Sequence, residues 1–197
     1  MAWLGWADMS RIIGGSGKGR RLKSPRGNAT RPTASRVRQA LFDILASEVP
    51  GCRFLDLFAG GGGVGLEACS RGAAGALLVE ADGAAARAIR ANVAALGLEA
   101  VARVARADVR AELPRIAASG QRFGIVFLDP PYGSPLYEPV LSAVAVGSIL
   151  AQGGVVVAEH FHKRALPETI GRLSRTRVLR VGEQCLSFYR PTTADGE

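Results

Sequence analysis

From Cys52 onward, short apolar runs alternate with segments of helical period, and nothing else in the sequence restricts the fold as much. Residues 54–58, 76–79, 101–105, 123–128 and 155–158 read as strands, and residues 64–70, 83–96, 110–118 and 137–150 as helices between them. On the 83–96 helix, Ile89, Val93 and Leu96 share one face, Asp82 stands at the cap position and Gly97 follows the end. Strands separated by helices pair through right-handed βαβ crossovers, which requires a mainly parallel sheet. Residues 175–181 and 184–190 lack an intervening helix and are expected to form a final antiparallel pair turning at Gly182-Glu183.

The first apolar run leads into Leu55-Asp56-Leu57-Phe58-Ala59-Gly60-Gly61-Gly62-Gly63-Val64-Gly65. A carboxylate at a strand end, then a glycine loop, then a helix start is a ligand site, because open α/β sheets bind ligands beyond the carboxyl ends of their strands. Gly60, Gly62 and Gly65 also satisfy G-x-G-x-x-G, the dinucleotide fingerprint. Asp56 and Glu67 close by would repel a diphosphate and suit the ammonium of S-adenosylmethionine. Glu80 closes the second strand where a carboxylate can take both ribose hydroxyls, and Asp108 follows the third, within reach of an adenine amine.

The fourth strand ends in Asp129-Pro130-Pro131-Tyr132. Two prolines remove two donors and stiffen the turn, leaving carbonyl oxygens free as acceptors. An exocyclic amine on a base is a poor nucleophile because its lone pair is delocalised into the ring. If Asp129 and the Pro130 carbonyl accept its hydrogens, the nitrogen is drawn toward tetrahedral geometry and its lone pair can be aimed at a methyl donor. Tyr132 is placed to stack on a base drawn out of its own stack.

The chain's net charge of +8 implies an acidic partner, with nucleic acid ahead of a membrane surface. Arg11, Lys18, Arg20, Arg21, Lys23, Arg26, Arg31, Arg36 and Arg38 fall between Ser10 and Ala40 with no acid among them. Residues 11–23 suit a small hairpin. Its Gly14-Gly15-Ser16-Gly17-Lys18 lacks the strand, the helix and the Ser or Thr after the lysine that a nucleotide-hydrolysing phosphate loop needs. Thr33 can cap a following helix with Val37, Leu41, Ile44 and Leu45 inward and Arg36 and Arg38 outward. Residues 10–50 thus read as a basic arm and 51–190 as the catalytic domain, with 1–9 a tail or start-site overcall and 191–197 a second tail. Three widely spaced cysteines suggest neither disulfides nor zinc, and His160 and His162 read as an exposed turn, so no metal is expected. No membrane or export segment is evident, and a reducing cytoplasm is the expected compartment.

Together these motifs resemble a known family. The glycine loop and D-P-P-Y look like class I methyltransferases that modify exocyclic amines. R-I-I-G-G (11–15), R-P-T-x-x-R-V-R-x-A-L-F (31–42), L-D-L-F-A-G (55–60) and G-L-E-A-x-S-R-G-A (65–73) narrow the resemblance to the bacterial 16S rRNA guanine-N2 methyltransferases, the RsmD family. It spans residues 11–190. It implies a Rossmann-like α/β fold with a mainly parallel sheet of about seven strands, the last antiparallel. It also implies S-adenosylmethionine as donor, S-adenosylhomocysteine as product, and a guanine of small-subunit rRNA as target, free or in an assembling subunit. The cofactor contacts would fall on Asp56, Phe58, Gly60, Gly62, Glu80 and Asp108, and the target-base roles on Asp129, Pro130, Pro131 and Tyr132. The RNA contacts would fall on Arg11, Lys18, Arg20, Arg31, Arg36 and Arg38, and a monomer is expected. The family usually has G-S-G-A where this chain has Gly60 to Gly63, a lost hydroxyl expected to weaken cofactor affinity and not the fold. Gln39 replaces a frequent acid. Two rival readings are DNA adenine-N6 methylation, which uses the same D-P-P-Y chemistry, and a noncatalytic RNA-binding assembly factor.

Overall fold

The computed structural model describes residues 11–23 and 32–192. The expected tail at 1–9, residues 193–197 of the expected tail at 191–197, the stretch 24–31 with Arg26 and Arg31, and the Thr33 side chain lie outside the described residues; Pro191 belongs to the last strand and Thr192 N–H meets the Arg172 carbonyl at 2.7 Å. Helix α1 (Pro32–Ile44) precedes the alternating region. That region comprises β1 (Arg53–Asp56), α2 (Gly63–Ser70), β2 (Gly75–Glu80), α3 (Gly83–Leu96), β3 (Ala102–Arg106), α4 (Val109–Ala118), β4 (Phe123–Leu128) and α5 (Tyr137–Val146). Then β5 (Leu150–Phe161), β6 (Thr169–Ile170), β7 (Leu173–Val181) and β8 (Gln184–Pro191) follow without a helix between them.

All eight strands join one sheet in the order β3-β2-β1-β4-β5-β8-β7-β6. The first five are parallel, with Leu55 opposite both Leu77 and Val126, and Leu128 opposite Ala158. Strand β8 inserts antiparallel between β5 and β7. The central strands are buried on both faces, as their unbroken apolar runs require. One face packs Phe54, Phe127, Val157 and Phe188 against Phe42, Leu66, Ile89 and Val93. The other packs Val126, Val156 and Tyr189 against Leu113, Ile116, Val140 and Leu141.

Helix α3 has the expected bounds, with Asp82 accepting the Ala85 amide at 2.7 Å and Gly97 closing it in the left-handed region. Helix α5 is shorter than expected. It ends at Val146, Ser148 takes φ 48°, and Leu150 belongs to β5. Because β5 runs on to Phe161, His160 is not in an exposed turn. It is buried inside the strand, with Nε2 2.9 Å from Ser187 Oγ. Among the described residues the two-residue β6 raises the strand count to eight.

The basic hairpin pairs Arg11 with Arg21, and Gly19 donates to the Ile12 carbonyl at 2.8 Å. It shares the main core, since Ile12 and Leu22 are buried alongside Leu41 and Phe42. Its turn is moulded onto the end of α2: a Cβ on Gly15 would lie 1.8 Å from the Ser70 carbonyl oxygen, which Ser16 N–H meets at 2.8 Å.

Candidate active site at the carboxyl ends of the strands

Strand β1 delivers Asp56 into the sheet end almost fully buried, at 1% exposure. Its Oδ2 accepts the Gly65 amide at 3.1 Å, while Oδ1 is buried with no hydrogen bond among the described residues. Burial pushes this carboxyl up to about 7, and Asp129 and Glu80 add to the effect while backbone amides oppose it. The loop beyond turns through Gly60 (φ 52°) and Gly62 (φ 80°), left-handed positions that a side chain occupies only with strain. Leu57 N–H bonds the Phe127 carbonyl and Ala59 N–H that of Val79, fixing the loop to both neighbouring strands. A Cβ on Gly60 would meet nothing within 4 Å, so this glycine faces open space. At Gly65 it would lie 2.7 Å from Leu78, so that glycine serves close helix–sheet packing. Phe58 is half-buried beside the loop.

Glu80, at the end of β2, uses both oxygens on backbone. Oε2 accepts the Gly60 amide and Oε1 the Asp82 amide, each at 2.7 Å. Each oxygen retains a lone pair for a further donor. Asp108 caps α4 by accepting the Arg110 amide at 2.8 Å. The Arg110 side chain also bonds both of its oxygens, which holds the carboxyl down at about 2.

Strand β4 ends at Leu128, so Asp129 emerges exposed at the rim of the sheet. Pro130 is buried; Pro131, Tyr132 and Gly133 are exposed. The Pro131 carbonyl is taken by the Ser134 amide at 2.9 Å, which closes the turn. Tyr132, 86% exposed, stands edge-on to Phe161 with ring centroids 5.9 Å apart.

The parallel register that sets Leu128 opposite Ala158 brings Glu159 beside Asp129. No motif in the sequence marks Glu159, which directly follows the apolar run 155–158 and precedes His160. Burial lifts its carboxyl well above the ordinary range, Asp129 and Asp56 add to that, and Arg38 opposes it. Although the residue as a whole is exposed, its carboxyl group is buried among the strand ends, and that burial pushes Asp129 up to about 7 as well. The ends of β1, β2, β4 and β5 therefore present Asp56, Glu80, Asp129 and Glu159 at one rim of the sheet.

The basic residues divide. Arg11, Lys18, Arg20 and Arg36 are exposed. Arg38 does not turn outward: it is 6% exposed, donates to the Arg11 carbonyl at 2.7 Å and lies 3.9 Å from Glu67. Glu67 is fully buried and accepts the Ile13 and Gly14 amides at 2.7 Å each and Arg71 Nε at 2.8 Å. It anchors the hairpin and does not face a ligand, contrary to the expectation that it stands beside the glycine loop to suit the ammonium of S-adenosylmethionine. The hairpin tip is held at Ser70, where α2 ends, and Arg20 bonds the Ala95 carbonyl near the end of α3. Both helices start at the ligand end of the sheet, so Lys18 and Arg20 lie toward its opposite end.

Residues 10–190 match the model of a family described as conserved hypothetical protein 95. The chain belongs to this family. Its relatives include YlbH of Bacillus subtilis, 38% identical over 180 residues, covering 91% of this chain and 98% of that protein. Ribosomal RNA small subunit methyltransferase D of Escherichia coli K12 is 36% identical over 187 residues, covering 95% of this chain and 92% of the relative. A solved protein of Thermus thermophilus superposes with a TM-score of 0.79 at 38% identity, covering 91% of this chain and 98% of its own. The conserved hypothetical protein 95 match spans the hairpin, α1 and the whole sheet, which agrees with their shared core.

A sulfonium ligand such as S-adenosylmethionine fits this rim on physical grounds. Among the described residues the buried Asp56 Oδ1 has no donor, Gly60 leaves open space, and a bound cation would favour the ionised form of the carboxyls that burial and mutual repulsion raise. Among the described residues no helix is long and apolar enough to cross a membrane.

Proposed function

We propose that this protein transfers a methyl group from S-adenosylmethionine to the exocyclic N2 amine of a guanine in small-subunit rRNA, in the cytoplasm. The observation that carries the proposal is the placement of Asp129-Pro130-Pro131-Tyr132 at the end of β4, next to the glycine loop after β1. The 36% identity to ribosomal RNA small subunit methyltransferase D over nearly the full chain supports rRNA as the polymer.

When bound, S-adenosylmethionine supplies an electrophilic methyl on a sulfonium. Asp56 Oδ1 would take a donor from its amino acid end, Glu80 the ribose hydroxyls, and Gly60 and Gly62 the close approach. Phe58 would pack beside it, and Asp108 would serve the adenine amine through a lone pair that Arg110 leaves free. On the acceptor side, Asp129 and the Pro130 carbonyl hold the two amine hydrogens, which orients the nitrogen lone pair. The Asp129 carboxylate, raised toward neutrality beside Glu159, is placed to receive the proton that the methylated amine loses. Tyr132 stacks on the extruded base, and exposed Arg11 and Arg36 contact phosphates.

The deciding experiment is transfer of labelled methyl to purified small-subunit rRNA by wild type and Asp129→Ala. The expected result is label in wild type and none in the variant, with cofactor binding retained. Adenine-N6 label on DNA would favour the rival methylation reading, and cofactor binding without transfer to any RNA would favour a noncatalytic assembly factor.

A further inference from the structure

Residues 159 and 161 share a face of β5, so Phe161 stands on the same side as Glu159, about 7 Å further along the strand. It lies just beyond the carboxylates where the target base would enter. The Tyr132 ring meets it edge-on at 5.9 Å, and His162 lies 4.5 Å from it, ring to ring. Lys163 Nζ is 5.9 Å from the Phe161 centroid, and its side chain is exposed.

The backbone carrying this aromatic group is tied down on both sides. Arg164 N–H closes the turn onto the Phe161 carbonyl at 2.9 Å. His162 N–H reaches the Glu183 carbonyl at 2.8 Å, and the Arg164 guanidinium lies over the buried Tyr137 ring at 4.8 Å. Exposed or half-exposed rings with a cation alongside and backbone pinned by a turn form a surface that single-stranded nucleic acid uses. Bases stack on the rings while the cation meets the phosphate between them. The reaction chemistry assigned to Asp129 and Tyr132 leaves Phe161, His162 and Lys163 without a task.

We propose that Phe161, flanked by His162 and Lys163, is a stacking subsite for the base adjoining the methylated guanine, with Lys163 on the intervening phosphate. The proposal rests on the rRNA methylation reading. The target base goes to Tyr132 and its neighbour to Phe161, so the edge-on pair of rings splays two consecutive bases apart.

The test is a double-mutant cycle between protein and RNA. The substrate is an oligoribonucleotide spanning the guanine that wild type methylates, and a second set carries an abasic site immediately 5′ or 3′ of that guanine. Phe161→Leu, which stays apolar and loses the π face, is expected to raise the RNA KM about ten- to hundredfold. Its kcat at saturating RNA and its Kd for S-adenosylmethionine should stay unchanged, and Phe161→Trp should restore the KM. One of the two abasic substrates should raise the wild-type KM by the same factor, with no further loss in Phe161→Leu. Additive losses, or a KM indifferent to Phe161→Leu, would overturn the subsite while leaving the methylation reading intact. If wild type methylates no rRNA, the reading of function fails first and the subsite with it.

Discussion

Glu80 Oε2 holds the Gly60 amide at 2.7 Å, so the acid ending β2 and the glycine loop following β1 form one unit. A ligand seated on the loop is thereby also seated on Glu80.

Glu80→Ala releases the amides of Gly60 and Asp82 together. Net hydrogen-bond contributions predict about a tenfold or greater loss of S-adenosylmethionine affinity, measured by calorimetry. Unfolding midpoints should change little, because the loop lies at the sheet rim.

Glu67→Ala acts on the fold and not on the ligand. It removes the acceptor of the Ile13 and Gly14 amides and the carboxylate that Arg38 and Arg71 both face. Breaking such a buried arrangement costs about 3–5 kcal/mol, read by chemical denaturation. Limited proteolysis should then cut residues 11–23 faster than the sheet. Unchanged stability would show that the hairpin is held by other contacts.

Asp56 gives a pH dependence of definite sign. Its carboxyl is raised by burial from the ordinary aspartate range to about 7, so the folded protein holds a proton that the unfolded chain has released. The stabilisation this provides is complete below about pH 4 and is lost as pH rises toward about 7. Unfolding free energy should therefore fall across that interval by an amount that shrinks in Asp56→Asn. A rise with pH that Asp56→Asn removes would contradict the assignment.

The parts legible in the sequence were those governed by local pattern. Apolar runs, helical period and caps gave β4 and α3 to the residue, and the Gly182 turn gave the terminal strand pair. The rest depends on contacts distant in sequence. Glu67 reads as an acid near the glycine loop, suited to a cationic ligand, until Ile13 and Gly14, far away in the chain, take both its oxygens. Arg38 sits among outward-facing arginines in sequence but meets the Arg11 carbonyl and Glu67 in space. Glu159 follows the apolar run 155–158 with no motif around it, and only the pairing of β5 with β4 brings it to Asp129. An acid directly after a buried apolar run, the position that Asp129 holds after β4, was the available signal.

The Asp129–Glu159 pair makes its own prediction. Glu159→Gln removes one carboxylate beside Asp129, so Asp129 should ionise at lower pH. The acidic limb of the kcat profile should then shift downward, with the RNA KM largely retained. An unchanged profile would separate Glu159 from the proton-handling group.

The central claim is tested most directly by mass analysis of nucleosides from unmethylated small-subunit rRNA incubated with the protein and isotopically labelled S-adenosylmethionine. The account predicts labelled N2-methylguanosine with wild type and none with Asp129→Ala, whose cofactor affinity is retained. Label on another nucleoside, or equal label with the variant, would contradict it.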